Sequence, residues 1–352
     1  MAVEGHEALH MKALIIQKAG LPVTPNIELV QDHPKPEPGP GEVLVKTEAS
    51  ALNRLDIWVG AGMPGAEEFP RISGSDGCGR IEAVGDGVDD AWIGKRVMMN
   101  AAKPAADNPY PDRAPALPDL HMIGEFEQGC HAEYFVGPAT QVLDIGELDP
   151  IEAAAYGLTH LTAWRMMLTR ASLKAGQWVL IPGIGGGLAL AALNIAGHLG
   201  CRTIVTSRHQ WKLDRAIELG AQHTILDTGE NWSKQVREIT GKRGVDVCVE
   251  SVGGAIHDSV LKSLARGGVM VTCGTTAGFE AKTNLQRIFW HQLTIIGSTM
   301  GDMDEFRQAV SLFQSGSLRP TIDRVFTPEQ GHEAWGRLEA GEQFGKIVLD
   351  WT

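Results

Sequence analysis

Apolar and polar positions are distributed differently in the two parts of the chain. In the first third, short apolar or alternating runs separated by turn-forming residues predict β-strands. These runs cover residues 11–16, 42–47, 79–85 and 94–99. Residues 100–120 are rich in Pro and Ala and have no periodicity, so we expect an irregular surface loop there.

From about Ile151 onward, unbroken apolar runs of strand length alternate with helical patterns. The runs cover residues 178–181, 203–206, 224–226, 245–249, 269–272 and 293–296, and helical patterns such as 188–199 and 211–219 lie between them. Strands that are apolar throughout are covered by helices on both faces of a sheet. The alternation therefore predicts an α/β fold with a doubly wound parallel sheet of the Rossmann type. A last strand is predicted at residues 346–349, which we expect to return to the first domain.

Length and charge narrow the class of protein. A chain of 352 residues is too long for one ordinary core, so two domains are expected. The formal net charge of -12 disfavours nucleic acid or an anionic membrane as the main partner, because both bind clustered Lys and Arg. No apolar run reaches the roughly 18 residues that a membrane span needs.

The first ten residues and the cysteines bear on the expected compartment. Residues 1–10 lack the charged and apolar regions of a secretory signal, so we interpret them as a leader before a second start at Met11. The five cysteines are odd in number and widely spaced, which favours buried free thiols over disulfides. They are Cys78, Cys130, Cys201, Cys248 and Cys273. We therefore expect a cytoplasmic protein.

The predicted strand at residues 178–181 runs into a glycine-rich turn and then into an apolar helix. The turn residues are Gly183, Gly185, Gly186, Gly187 and Leu188. Glycine lets the backbone approach a pyrophosphate, and the N–H groups that begin a helix favour its charge. Read from Gly183, the sixth motif position is Leu188, whereas the next pair of glycines places Ala189 at the close-packing position. Strand, turn and helix in this order predict a dinucleotide site; the alternative is a purely structural turn.

The end of the second predicted strand indicates which coenzyme is bound. NAD enzymes place an acidic residue there to bind the ribose 2′-hydroxyl. Here the segment reads Thr206-Ser207-Arg208-His209-Gln210-Trp211-Lys212, without a carboxylate. A hydroxyl at Ser207 with the cations of Arg208 and Lys212 suits a 2′-phosphate, so we expect NADP(H) rather than NAD(H). The alternative is that both cations only form the solvated start of a helix.

Motifs spread from Met11 to the C-terminus identify a family resemblance. They are Ala51-Leu52-Asn53-Arg54-Leu55-Asp56, Gly74-Ser75-Asp76-Gly77-Cys78-Gly79 leading to Val84-Gly85, the glycine-rich turn, Val245-Asp246-Val247, Gly274, Phe289-Trp290, Gly297-Ser298-Thr299-Met300-Gly301 and Phe344-Gly345-Lys346. Together they show that the chain resembles the medium-chain dehydrogenase/reductase superfamily. Within it, the chain is most similar to the quinone oxidoreductase-like branch, often labelled zinc-type alcohol dehydrogenase-like. These motifs are specific for the family and carry little information about the substrate.

The resemblance implies an architecture and a set of contacts. It implies a GroES-like β-barrel catalytic domain at residues 11–155 and 300–352 and a Rossmann coenzyme domain at residues 156–299, with the active site in the cleft between them. Beyond the turn and the second-strand end, it implies coenzyme contacts from Thr162, Val252, Gly274, Ser298 and Lys346. It also implies a homodimer through the coenzyme domain, in which strands such as 293–296 pair across a two-fold axis. A small-molecule substrate is the other expected partner.

The resemblance also shows where zinc is expected and which residues stand there. Zinc members of the family bind the catalytic metal at places that align with Asn53, Ser75 and roughly Leu158. An amide, a hydroxyl and an aliphatic group are not the thiolate and imidazole set that zinc prefers. Residues 100–120, where the family's structural zinc would lie, contain no Cys, and His121, His131 and His160 have no ligand spacing. We therefore expect no zinc.

The absence of zinc ligands at these positions changes the reaction that we expect. Oxidising an alcohol requires removal of its proton, which zinc assists. Hydride addition to a quinone, an enone or an enoyl thioester instead needs hydrogen-bond donors for the developing charge. We expect Asn53 to orient the substrate carbonyl, Ser75 to donate a second hydrogen bond and Trp58 to stack on a flat ring, although Trp58 also fits a core aromatic. Asp56 is interpreted as a backbone-capping carboxylate.

The leading hypothesis is therefore an NADPH-dependent, zinc-independent quinone or enone reductase. A second reading is an alcohol or aldehyde oxidoreductase that works without metal. A third, of a different class, is a nucleotide-binding sensor with little catalysis. The intact glycine-rich turn at residues 183–188, which we call the phosphate turn, together with the Asn53 region favours an enzyme. A protein that only binds a nucleotide has less need of the Asn53 region.

Overall fold

The computed structural model describes residues 10–104 and 120–352, and it divides into two compact units. The first unit contains the described residues up to Leu158, Asp302–Val310 and Ile322–Thr352, and the second contains Thr159–Gly301 and Ser311–Thr321. Residues Ser311–Thr321 were expected in the first domain but belong to the second unit. Helical periodicity shows that a segment has a buried face, but only spatial contacts show which core that face joins.

The first unit is built mainly from antiparallel strands. Its strands are β1 (His10–Ile16), β2 (Ile27–Pro34), β3 (Glu42–Ala51), β4 (Arg71–Ile72), β5 (Gly77–Val84), β6 (Arg96–Met99), β7 (Ala102–Pro104), β8 (Leu120–Met122), β9 (Tyr134–Pro138), β10 (Val142–Asp144), β17 (Ile322–Phe326) and β18 (Lys346–Asp350), and its helices include α1 (Arg54–Gly60) and α9 (Gly331–Ala340). The largest sheet runs β10-β6-β5-β3-β18-β17, with β9 also paired to β3. A smaller sheet runs β2-β1-β4.

Strand β3 is the centre of the first unit. It pairs antiparallel with β5, β9 and β18, so both ends of the domain's sequence meet on it. Val43 and Val45 are buried because neighbouring strands and the barrel interior cover them. The packed interior includes Leu14, Ile347 and Trp335, which come from β1, β18 and α9.

The second unit contains a parallel sheet with helices between its strands. Its elements are β11 (Trp178–Ile181), α3 (Gly187–His198), β12 (Arg202–Ser207), α4 (Gln210–Glu218), β13 (His223–Leu226), α5 (Ser233–Ile239), β14 (Val245–Glu250), α6 (His257–Ser263), β15 (Leu264–Thr272), α7 (Leu285–His291) and β16 (Thr294–Gly297). The strand order is β13-β12-β11-β14-β15-β16, and every pair is parallel. This is the order of the Rossmann fold. Leu180, Ile204 and Cys248 are buried within the sheet's core.

Two helices begin in the first unit and end in the second. They are α2 (Pro150–Trp164) and α8 (Met303–Gln314). A six-residue π-helical segment, Arg165–Arg170, continues α2. No helix among the described residues is long and apolar enough to cross a membrane.

The structure corrects two expectations about irregular segments. His10, expected in a leader, is the first residue of β1 and pairs with Pro34, whereas residues 1–9 lie outside the described part of the chain. Residues 100–120 were expected to form a loop, but their ends form strands, since Ala102–Pro104 pairs with Leu120–Met122. Residues 105–119 lie outside the described part. Backbone pairing at the ends of a loop leaves no signature in composition.

Candidate functional site

Five predicted coenzyme-binding residues lie at the carboxyl ends of the strands of the parallel sheet. Gly183 follows β11 and Ser207 ends β12, while Val252, Gly274 and Ser298 follow β14, β15 and β16. Ligands of doubly wound folds bind outside the carboxyl ends of the strands, where the strand order reverses. That reversal occurs at β11, which lies between β12 and β14. The fold therefore gathers these residues where a dinucleotide is expected.

The glycine-rich turn has a backbone geometry that favours glycine. Gly183 has φ of 70° and Gly185 has φ of 118°, in the region that L side chains rarely adopt. The turn is tied to β12 by a 2.8 Å hydrogen bond from Ile184 N to Thr206 O. A Cβ on Gly186 would meet no atom within 4 Å, and no side chain caps α3, which begins at the next residue. The start of α3 is thus open and uncapped, which suits a pyrophosphate.

Lys212 lies against this turn. Its side chain is only 7% exposed, and a Cβ on Gly185 would lie 2.7 Å from Lys212 Cδ and 3.4 Å from Nζ. Ser207 is buried and its Oγ accepts a hydrogen bond from His209 N at 3.1 Å, whereas Arg208 is exposed. A solvated helix start describes Arg208 well but not the buried Lys212. The lysine therefore places a cation beside the phosphate turn.

The loops after β14 and β15 are joined to each other and reach the phosphate turn. A Cβ on Gly183 would lie 2.8 Å from Val252 Cγ2, so Val252 packs on the turn. Gly254 N donates to Gly278 O at 2.9 Å, and Ala277 N donates to Val252 O. These contacts make one continuous surface of the turn and the two loops.

The remaining coenzyme predictions have different outcomes. Ser298 N donates to Thr272 O at 2.9 Å at the sheet edge, and Thr162 is buried on α2. Lys346, however, is the first residue of β18 in the first unit and is 3% exposed. Its ammonium group is bound by two side chains of that unit. In this structure Lys346 thus has a role inside the first unit, and its predicted contact with the coenzyme stays a prediction.

A buried cluster of polar and charged side chains surrounds this lysine. Lys346 Nζ donates to Asn53 Oδ1 at 2.6 Å and to Asp76 Oδ2 at 2.8 Å. Asn53 Nδ2 donates to the same carboxylate oxygen at 2.9 Å and to Ala51 O at 3.3 Å. The other oxygen of Asp76 accepts the N–H of Leu158 at 2.6 Å. The cluster therefore connects the start of α1, the segment before β5, the middle of α2 and the start of β18.

Two predicted substrate donors are already engaged by the protein. Asn53 uses its carbonyl oxygen and both amide hydrogens in hydrogen bonds to Lys346, Asp76 and Ala51. Ser75 is buried, and its hydroxyl donates to Ile123 O at 2.7 Å. Both side chains thus bind other groups of the first unit in this structure, and their predicted contacts with a substrate stay predictions. Trp58, on α1, is partly exposed, so its ring stays available for the predicted stacking.

A second buried pair lies beside the cluster. Asp56 Oδ2 accepts the N–H of Asn53 at 2.7 Å, which confirms that Asp56 caps the start of α1. Its other oxygen lies 3.3 Å from His131 Nε2, and His131 Nδ1 lies 2.9 Å from Ser50 Oγ. Burial opposes ionisation of Asp56, but His131 and the N–H of Asn53 outweigh it and lower its pKa below the ordinary value.

Asp76, His131 and Lys346 owe their places in these two groups to long-range contacts. The sequence separation is 23 residues between Asn53 and Asp76 and 293 between Asn53 and Lys346. The usable sequence signal was weak: each is a polar residue next to an apolar or glycine-rich run.

The residues at the expected zinc positions do not fit that metal. Asn53 and Leu158 do converge with Ser75, because Asp76 bonds to the first two and adjoins the third. The group nevertheless contains no thiolate or imidazole, and an ammonium already lies 2.6 Å from Asn53 Oδ1. Among the described residues, no group of three His, Cys, Asp or Glu side chains is arranged to hold a metal.

Fold and site together define a protein with a Rossmann domain whose phosphate turn fits a dinucleotide, attached to an antiparallel β-domain. The alcohol dehydrogenase GroES-like domain matches residues 39–147, and the zinc-binding dehydrogenase domain matches residues 187–315. The chain belongs to the medium-chain dehydrogenase/reductase superfamily, as its motifs predicted. Its Rossmann and GroES-like domains are those of that family.

Several known proteins resemble the chain over almost its full length. A zinc-type alcohol dehydrogenase-like protein of Schizosaccharomyces pombe is 31% identical, covering 88% of this chain and 91% of the relative. The quinone oxidoreductase of Homo sapiens is 26% identical, covering 96% of this chain and 97% of that relative. A crystal structure of an NAD-dependent alcohol dehydrogenase is 34% identical with a TM-score of 0.90, over 97% of this chain and all of the other. The relatives are oxidoreductases, so the chain is an oxidoreductase of this superfamily.

Proposed function

We propose that the protein is an NADPH-dependent, zinc-independent oxidoreductase that transfers hydride to a quinone or an α,β-unsaturated carbonyl compound. The observation that carries this proposal is the side-chain set at the family's zinc positions: Asn53, at one of them, is bound by Lys346 and Asp76 in a closed cluster. Such a cluster offers no site for a Lewis acid to activate an alcohol. Similarity to the human quinone oxidoreductase supports the same substrate class.

The preference for NADPH rests on charge at the end of β12. No carboxylate follows Thr206, and Lys212 is buried against Gly185 beside the turn. A carboxylate at that strand end would bind a ribose hydroxyl and repel a 2′-phosphate, whereas an ammonium attracts the phosphate. Arg208, which is exposed at the same strand end, would provide a second cation for this phosphate.

The chain's own residues would serve the reaction by binding and orienting. The uncapped start of α3 and the glycines of the turn would hold the pyrophosphate, and Trp58 would stack on the flat conjugated substrate. The bound coenzyme supplies the hydride. An unsaturated carbonyl compound takes up that hydride at carbon and becomes an enolate, whereas a quinone takes it up at one oxygen and becomes a phenolate. Either anion then takes up a proton, and we propose that water provides it because Asn53 and Ser75 are engaged elsewhere.

Turnover with defined substrates tests the proposal. Purified protein is assayed for NADPH consumption with 1,4-benzoquinone, an alkyl enone and acryloyl-CoA, with NADH as the parallel coenzyme and with a strong chelator in a duplicate series. We expect turnover with at least one class, a preference for NADPH and no effect of the chelator. Absence of turnover on every substrate, or full loss with the chelator, would contradict it.

A second candidate is an alcohol or aldehyde oxidoreductase that works without metal. It is favoured by the 34% identity to a structure of an NAD-dependent alcohol dehydrogenase. Oxidation of simple alcohols in the presence of chelator, with NAD as the better coenzyme, would establish it. A nucleotide sensor would instead show quenching of tryptophan fluorescence by NADPH without turnover of any of these substrates.

We also propose a homodimer formed through the second unit. Strand β16 is an edge strand of the parallel sheet, and large apolar side chains beside it are exposed. Trp290 is 63% exposed, and Leu285, Phe289 and Ile295 are exposed as well. An apolar sheet edge of this kind is normally covered, and a second copy pairing edge to edge would cover it. Light scattering during gel filtration measures this state directly.

A further inference from the structure

Glu250, the last residue of β14, carries a buried carboxylate at the coenzyme edge of the sheet. The residue is 3% exposed. Its Oε1 accepts the backbone N–H groups of Val252 at 2.5 Å and Gly253 at 2.8 Å. Its Oε2 accepts the hydroxyl of Thr272, the last residue of β15, at 3.0 Å. A single side chain therefore joins the ends of two neighbouring strands to the loop that follows the first.

All three donors to this carboxylate are neutral. Hydrogen bonds to an ionised acceptor are stronger than those between neutral groups, and a carboxylate has enough lone pairs to accept all three. A carboxylate at the buried end of a strand is costly to bury without such partners. The loop geometry therefore depends on a charged side chain rather than on apolar packing alone.

The loop that Glu250 holds has little freedom to move elsewhere. Gly253 has φ of 90°, and a Cβ on it would lie 2.6 Å from Gly278 O in the loop after β15. Its neighbour Val252 packs against the phosphate turn, because a Cβ on Gly183 would lie 2.8 Å from Val252 Cγ2. The carboxylate of Glu250 thus holds the backbone of Val252 in the position from which its side chain contacts Gly183.

We propose that Glu250 is a positioning residue of the coenzyme site, which holds Val252 against the phosphate turn through its two N–H···O bonds. It acts through Val252 and touches no reacting atom. This inference rests on the proposed binding of a nicotinamide coenzyme, and it goes further by assigning the geometry of the site to one buried charge.

Three variants separate the contributions of this carboxylate. Glu250→Ala removes both acceptor oxygens and with them all three hydrogen bonds. Glu250→Gln keeps one acceptor oxygen and the shape of the side chain, and Thr272→Val removes only the hydroxyl donor. Glu238→Gln is the matched control, since Glu238 is an exposed glutamate on α5 of the same unit. We expect Glu250→Ala to weaken coenzyme binding most, Glu250→Gln less and Thr272→Val least. The control Glu238→Gln should bind the coenzyme as the parent protein does.

The measurement is the NADPH dissociation constant, read from quenching of the nine tryptophans, together with the unfolding temperature without coenzyme. We expect Glu250→Ala to raise the dissociation constant about tenfold and Glu250→Gln about threefold, as loss or weakening of charged hydrogen bonds predicts. KM for NADPH should rise in parallel, while kcat changes little. If Glu250→Ala does not fold, the Gln variant and Thr272→Val still test the order.

Unchanged coenzyme affinity in a folded Glu250→Ala or Glu250→Gln protein overturns the proposal. A fall in unfolding temperature with an unchanged dissociation constant of the folded fraction overturns it as well, because that result shows only a structural role. Binding is measured without turnover, so failure of the quinone and enone assays would reject the proposed reaction and leave this test intact.

Discussion

Replacing Lys346 with Met tests how strongly the buried cluster holds the first unit together. The two side chains have similar length, so the change removes the charge and leaves little cavity. It deprives the carboxylate of Asp76, which is 1% exposed, of its cationic partner and leaves it the amide of Asn53 and the N–H of Leu158. Breaking a buried ion pair by removing one partner costs about 3–5 kcal/mol.

That cost is large enough to measure without ambiguity. A domain of this size loses about 2–4 °C of unfolding temperature per kcal/mol, so the variant should unfold roughly 6–20 °C lower. Urea unfolding followed by circular dichroism gives the free energy directly. Lys95→Met is the matched control, since Lys95 forms an exposed pair with Asp144 at 3.4 Å, and pairs of that kind contribute about 0–1 kcal/mol.

A double variant makes the reasoning refutable. Changing Asp76 to Asn together with Lys346 to Met removes both charges, so no unpaired charge remains buried. We expect the double variant to be more stable than Lys346→Met alone, with a coupling energy of about 1–3 kcal/mol. Two results would show that the ion pair is not the source of stability. One is that the losses of unfolding free energy of the single variants simply add in the double variant, and the other is that Lys346→Met loses no more than the control Lys95→Met.

Four further predictions follow from the site and the fold. Lys212→Gln should lower kcat/KM for NADPH about 10-fold to 100-fold, because a charged hydrogen bond to the phosphate is lost, and should change kcat/KM for NADH only a few-fold. Equal losses of kcat/KM with both coenzymes would contradict this. Gly185→Ala should weaken NADPH binding about tenfold, since the residue has φ of 118° and its new methyl group would meet Lys212, while Gly197→Ala on the exposed side of α3 should bind normally in the same titration. Asp56 has a lower pKa folded than unfolded, so its contribution is complete above about pH 4 and is lost as pH falls through the folded value; in thermal unfolding, Asp56→Asn should be less stable at neutral pH and converge with the parent in acid, and a constant difference across pH would refute the assignment. Trp290→Glu should shift the protein to monomer in light scattering, and an unchanged dimer would place the interface elsewhere.

The coenzyme domain could be predicted from sequence because its signals are local. Its strands are apolar on both faces, and a strand that leads through glycines into a helix is a contiguous pattern. The observed strand Trp178–Ile181 and helix Gly187–His198 differ from the predicted ranges by at most one residue at either end. Backbone φ at Gly183 and Gly185 lies where L side chains are rarely found, so the glycines of this motif already indicate the conformation.

The chemistry of the first unit was predicted less well, because it depends on residues far apart in the chain. Sequence motifs marked Asn53, Ser75 and Lys346, but not that Lys346 bonds to Asn53 across 293 positions. Sequence alone therefore determined the fold class, the phosphate turn and the absence of thiolates at the zinc positions. Only the tertiary structure decided which polar groups are already satisfied by other groups of the protein. A buried hydrogen bond can be made once, so a residue type indicates a capability and its neighbours in space decide its use.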